Sequence, residues 1–194
     1  MRIVIASNNA KKRKEMIAIL EESGVAVTPV EATAFVYVDE DGETFAENAA
    51  KKAEAFAYAN RLPALADDSG LCVDALGGEP GVFSSRFAGE HASDAENNSR
   101  LLKEMAAVEN RSAHFICTLH LAFPDERPSI VAEGRVDGVI LDAPDGEQGF
   151  GYDPLFYSTE LKKSFAQATA EEKASVSHRG RALHSLAEQL KSIA

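Results

Sequence analysis

Two adjacent carboxylates, Asp67 and Asp68, precede a hydroxyl and a glycine in the run Leu65-Ala66-Asp67-Asp68-Ser69-Gly70-Leu71-Cys72-Val73. Neighbouring carboxylates repel, so the pair is destabilising unless a cation sits near it. Oxygen ligands of this kind suit Mg²⁺, which retains several waters that phosphate oxygens can replace. A further carboxylate from Asp39-Glu40-Asp41 would complete the shell. Taken alone, Asp67 to Gly70 are equally a surface turn closed by its own side-chain to backbone hydrogen bonds.

A second group is Ser7-Asn8-Asn9-Ala10-Lys11-Lys12-Arg13-Lys14, with four consecutive cations where a strand gives way to a helix. A helix N-terminus already carries partial positive charge, so basic residues in the first turn are unfavourable there. A bound anion resolves the conflict, and backbone N–H groups with lysine ammoniums make a phosphate site. A solvated basic face on a surface helix is the alternative. The third group, Gly149-Phe150-Gly151-Tyr152-Asp153-Pro154, puts glycines that allow close backbone approach beside aromatics able to stack on a base, or else is a turn pinned by core aromatics. The fourth is Lys173 with Ser177-His178-Arg179, where an arginine can donate to a carbonyl or phosphate oxygen, or simply sit at an exposed helix start. His114 and His120 share the polar face of a strand, His91 and His184 lack partners at metal spacing, and all four read as non-ligands.

The elements that must hold these groups follow from periodicity. Arg2 to Ala6 reads as a buried strand, Lys11 to Ser23 as a helix with Met16, Ile17, Ile19 and Leu20 inward, and Val25 to Val30 as a second strand. Glu31 to Gly42 reads as a loop or irregular edge. Thr44-Phe45-Ala46-Glu47 fits a capping box opening a helix to Asn60, its buried stripe Phe45, Ala49, Ala53 and Phe56. Leu65 to Val73 reads as two strand pieces interrupted by an acidic turn, with a glycine-rich loop, Gly77 to Gly81, beyond it. Ser93-Asp94-Ala95-Glu96 is another capping box, for a helix to about Val108. Ala113 to Phe123 alternates as a half-buried strand, with Ser129 to Val136 and Val139 to Leu141 as partners. A loop from Asp142 to Asp153 follows, and the chain ends in a helix from about Ser177, with Leu183, Leu186, Leu190 and Ile193 inward. Alternating strands and helices that give way to a strand-rich middle predict an α/β fold with a mixed sheet.

The chain has 194 residues, 45% of them hydrophobic, and 20 Lys plus Arg against 31 Asp plus Glu leave a net charge of −11. That size allows one domain, or two lobes sharing a core. The acidic balance disfavours nucleic acid and anionic membranes as partners. No apolar run approaches the ~18 residues of a membrane span, and Ile3 to Ala6 is too short for a signal-peptide core, so a cytoplasmic protein is expected. Cys72 and Cys117, with no Cys-x-x-Cys pair, read as small buried apolar residues.

The groups occur in a fixed order: Ser7-x-Asn9-x-x-Lys12-x-x-Glu15, Thr44-Phe45-x-Glu47-Asn48-Ala49, Ala66 to Leu71, Gly77-Gly78-x-Pro80-Gly81-Val82-x-Ser84-x-Arg86, Gly149 to Pro154 and Ser177-His178-Arg179. In this order the sequence resembles the inosine/xanthosine triphosphate pyrophosphatase family over nearly its whole length. Lys11 stands where members usually carry Gly. The resemblance implies an elongated mixed β-sheet flanked by helices, two lobes with a central cleft, and a single pyrophosphatase domain over residues 1–194. It implies hydrolysis of the α–β phosphoanhydride of 6-oxopurine triphosphates (ITP, dITP, XTP) to the monophosphate and pyrophosphate, which clears them from the nucleotide pool. Mg²⁺ dependence and a homodimer are implied as well. Carried over by motif, Ser7, Asn8, Asn9, Ala10, Lys11 and Lys12 would hold the triphosphate, and Glu40 with Asp68 the Mg²⁺. Asp68 would also orient or deprotonate the attacking water, and Ser69 would touch substrate. Phe150 would stack on the purine, Gly151, Tyr152 and Asp153 would shape its pocket, and Lys173, His178 and Arg179 would contact the nucleotide. A 6-oxo group accepts a hydrogen bond from Arg179 where the 6-amino group of adenine cannot, so ATP is expected to be rejected. Rival readings are a pyrophosphatase for modified pyrimidine or standard triphosphates and a nucleotide sensor without turnover.

Overall fold

The apolar N-terminal run forms β1 (Arg2–Ile5), buried from its second residue onward. α1 (Ala10–Glu22) follows, capped by Asn9, with Met16, Ile19 and Leu20 buried and Ile17 only half-buried. The computed structural model describes residues 2–34, 36–125 and 127–192. The second strand is shorter than its sequence suggests, β2 (Ala26–Val27), and the stretch beyond it contains one 3-10 turn, Val30–Ala32. α2 (Phe45–Asn60) starts at Thr44, whose Oγ1 accepts the Glu47 N–H at 3.2 Å. The expected box is not reciprocal, because Glu47 Oε2 accepts from the Glu43 N–H at 2.8 Å. That extra step back ties the preceding loop to the helix.

β3 (Ala64–Val73) is one continuous strand, so the acidic turn expected at Asp67 to Gly70 does not form. Partners for the carboxylates remove the need for a turn to solvent, as described below. α3 (Asp94–Glu104) carries a complete capping box between Ser93 and Glu96 and ends before the expected Val108. β4 (Ser112–Ala122) buries the anticipated Ala113, Phe115, Cys117, Leu119 and Leu121. β5 (Ile130–Ile140) runs unbroken where two pieces were expected. Gly138 keeps it continuous: a Cβ there would strike the Tyr157 carbonyl and come within 2.6 Å of the Phe156 ring, both on the next strand. β6 (Phe156–Ser158), β7 (Lys163–Ser164) and α4 (Ala170–Val176) complete the set with α5 (His178–Ser192), which buries Leu183 and Leu186. Leu190 is half-buried, and Ile193 lies outside the described residues.

The strands form a mixed sheet in the order β2-β1-β3-β4-β5-β6-β7. β1 runs parallel to β2 and β3, and β6 antiparallel to β5 and β7. Two compact units divide the chain: Met1–Asp68, Cys117–Gly134 and Arg179–Ala194 in the first, Ser69–Ile116 and Arg135–His178 in the second. The first has a cluster of small residues around Phe56, including Val4, Ala53, Ala57 and Ala66, and also buries larger side chains such as Ile3, Met16, Leu20, Leu65, Leu119 and Leu183. The second has an aromatic core in which Phe115, Phe156 and Phe165 pack together. Both cysteines are free thiols, and burial pushes the Cys117 thiol up to about 12. Among the described residues no helix is long and apolar enough to cross a membrane.

Candidate active site

In the first unit, β3 projects Asp67 and Asp68 to opposite faces, as successive strand residues must. Asp67 is buried, and its Oδ2 receives Lys12 Nζ at 3.2 Å and Arg179 Nη2 and Nε at 3.0 and 3.3 Å. Burial alone would raise its pKa, but Lys12 and Arg179, helped by Lys52, hold the Asp67 carboxyl well below the usual carboxylate range. Arg179, itself buried, also donates from Nη1 to Glu15 Oε2 at 2.6 Å. The unfavourable basic start of α1 is thus answered in part from within the protein, since Asp67 is the anion that Lys12 meets. Arg13 Nη1 donates to the Ser7 carbonyl at 2.7 Å.

Asp68 faces α2. Asn48 Nδ2 donates to its Oδ2 at 3.1 Å, and Lys52 Nζ lies 3.5 Å from its Oδ1 and 2.8 Å from Glu40 Oε2. Glu40 is brought there by a loop laid along α2: after Glu40 meets Lys52, Asp41 meets Lys51, the Gly42 N–H donates to Asn48 Oδ1, and the Glu43 N–H donates to Glu47. Burial first, and then the Glu40 charge, push the Asp68 carboxyl above its ordinary value against the pull of Lys52 and Lys12. The Asp68, Asp67 and Glu40 charges keep the Lys52 ammonium above its usual value despite burial that would lower it. Asn48 and Lys52 sit one turn apart on the stripe that buries Ala49, Ala53 and Phe56. Sequence reasoning missed them as site residues, although two polar residues four apart on an apolar helix face are a readable signal.

Glu40 and Asp68 are hard oxygen donors that converge on one ammonium, and donors of that type fit Mg²⁺. Among the described residues no cluster of three or more metal-ligating side chains forms. Two protein carboxylates would leave the other positions of such an ion to water and phosphate oxygens. Of the expected phosphate-binding segment, Asn8, Ala10 and Lys11 are exposed. Asn9 Oδ1 accepts the Lys11 and Lys12 N–H groups at 2.9 and 3.1 Å, and Ser7 Oγ accepts the Asn9 N–H at 3.3 Å.

The second unit holds the aromatic group. Lys173 Nζ lies 2.7 Å from Asp153 Oδ2 and 4.8 Å from the centre of the Phe150 ring. Asp153 Oδ2 also accepts the Phe150 N–H at 2.8 Å. Gly149, with φ of +78°, leaves that carboxylate its place, since a Cβ would overlap Asp153 Oδ2. Tyr152 is buried and donates from its hydroxyl to the Ser84 carbonyl at 2.9 Å. His178 is buried with its ring stacked 4.7 Å from Phe115. Ser69, half-buried, follows Asp68 on β3.

A family model described as the Ham1 family matches residues 3–189. The chain belongs to the Ham1 family. It is 47% identical over 201 residues to a dITP/XTP pyrophosphatase of Clostridium perfringens, covering 99% of this chain and 98% of that one. With a protein of the same name from Geobacillus kaustophilus it shares 49% identity over 194 residues, 98% and 95% of the two chains. Among solved structures, a HAM1 protein from Coxiella burnetii superposes with a TM-score of 0.89 at 39% identity, covering 99% of each chain. The Staphylococcus aureus Ham1 protein gives 0.88 at 40% identity over 100% of each chain. The matched residues include both the charge-paired centre of the first unit and the aromatic-cationic group of the second.

Proposed function

We propose that this Ham1-family chain hydrolyses non-standard purine nucleoside triphosphates, ITP, dITP and XTP, at the α–β phosphoanhydride, releasing the nucleoside monophosphate and pyrophosphate. The observation that carries the reading is the charge-paired centre of the first unit, where Lys12, Lys52 and Arg179 meet Asp67, Asp68 and Glu40. The names of the relatives at 47% and 49% identity support the choice of base. Lys12 and Lys52 would turn toward the phosphate chain, and Ser7 to Lys12 would hold it. Asp68 would orient the attacking water and accept its proton while oxygen bonds to the α-phosphorus. The bridging oxygen then departs with pyrophosphate. Glu40 and Asp68 would hold Mg²⁺, which supplies charge neutralisation of the phosphates when bound.

In the second unit Phe150 would stack on the purine, and Gly151, Tyr152 and Asp153 would set its place. Lys173 and His178 would contact the nucleotide, and Ser69 the substrate near Asp68. Arg179, held by Asp67 and Glu15, would donate to the 6-oxo group. A homodimer and a cytoplasmic site of action belong to the same reading. The test is a panel of ITP, dITP, XTP, GTP and ATP with Mg²⁺, scored for pyrophosphate and orthophosphate separately. Pyrophosphate from the first three, with ATP turned over far more slowly, is the expected result. Orthophosphate without pyrophosphate, or equal rates on ATP, would overturn it.

A further inference from the structure

In the second unit, the two residues at the tip of the aromatic loop have all four backbone polar groups engaged. The Phe150 N–H donates to Asp153 Oδ2 at 2.8 Å, and its carbonyl accepts the Asp153 N–H at 3.2 Å. The Gly151 N–H donates to Asp94 Oδ2 at 2.9 Å, and its carbonyl accepts from Asn98 Nδ2 at 2.8 Å. The last two partners belong to α3, more than fifty residues away in sequence and one helical turn apart on one face. Asn98 Nδ2 donates also to the Asp94 carbonyl at 2.8 Å. Both contacts of this amide nitrogen are carbonyl oxygens, so a flipped amide would set oxygen against oxygen. Its Oδ1 is buried with no hydrogen-bond partner, a cost that this orientation accepts in order to hold the two carbonyls.

We infer that Asp94 and Asn98 are positioning residues for base recognition: they clamp Gly151 so that the Phe150 ring is presented at a fixed orientation beside Lys173. The inference rests on the proposed function, in which Phe150 stacks on the purine. Neither α3 residue touches substrate. They act by keeping the loop from sampling other arrangements before binding, and preorganisation of that kind appears in affinity.

The test is steady-state kinetics with ITP and Mg²⁺, following pyrophosphate, on wild type, Asp94→Ala, Asp94→Asn, Asn98→Ala and the near-isosteric Asn98→Leu, with each alanine variant repeated in a Phe150→Ala background. Loss of one such anchor should raise KM about tenfold with kcat within about twofold of wild type. Asp94→Asn retains an oxygen to accept the Gly151 N–H and should restore most of the loss. In the Phe150→Ala background the further effect of either alanine should vanish, which a merely structural role would not produce. Should Asn98→Ala fail to fold, Asn98→Leu carries the same comparison. Unchanged KM in both alanine variants, a fall confined to kcat, or full additivity with Phe150→Ala would overturn the inference while wild type remains active. A wild type that makes no pyrophosphate from ITP would overturn the function itself, and the inference with it.

Discussion

Asp67 and Asp68 are consecutive and both buried, yet their surroundings shift the two carboxyls in opposite directions. Asp67 gathers Lys12 and Arg179 on a single oxygen, and its negative charge is stabilised by them. Asp68 shares Lys52 with Glu40 and is disfavoured as a carboxylate, by burial first and by the Glu40 charge second. Removing the charge from one member of a buried pair leaves its partners uncompensated, so Asp67→Asn should cost ~3 kcal/mol, roughly 6 to 12 °C in melting temperature for a chain of this size. Asp68→Asn should melt at or above wild type while kcat on ITP falls about 10²- to 10⁴-fold, the range of a positioned general base. Thermal melts and pyrophosphate assays on the two variants decide it, and the assignment fails if their profiles exchange. Both aspartates were legible as a pair in the sequence. The contrast between their surroundings was not, because it depends on Arg179 arriving from a helix 112 residues away.

At the scale of elements, the local signals that came true were those complete within a few residues. Ser93 to Glu96 forms its capping box, and the alternation along β4 buries the residues it marks. Thr169-Ala170-Glu171-Glu172 carries the same signature and opens α4 with a complete capping box. What stayed illegible were interruptions that tertiary partners cancel. Asp67 to Gly70 looks like a turn until cations are supplied from α1, α2 and α5, and Gly138 looks like a break until β6 packs against its bare Cα. Gly138→Ala should therefore destabilise the protein by about 1 to 3 kcal/mol through overpacking against Tyr157 and Phe156. Urea unfolding measures it, and a neutral result would mean that the glycine merely tolerates the strand. The short β6 and β7, of three and two residues, offer too few positions for any alternation to register.

For the molecule as a whole, a net charge of −11 repels the polyanion it is proposed to take. Lys12, Lys52 and Arg179, the three cations of the charge-paired centre, would act against that field at close range, and Asp67, Asp68 and Glu40 hold them there. The central claim is that water, oriented by Asp68, attacks the α-phosphorus. Hydrolysis of ITP in ¹⁸O-labelled water, with mass spectrometry of both products, tests it most directly. Label is expected in the monophosphate, with unlabelled pyrophosphate. Label in pyrophosphate would place the attack on the β-phosphorus and contradict it.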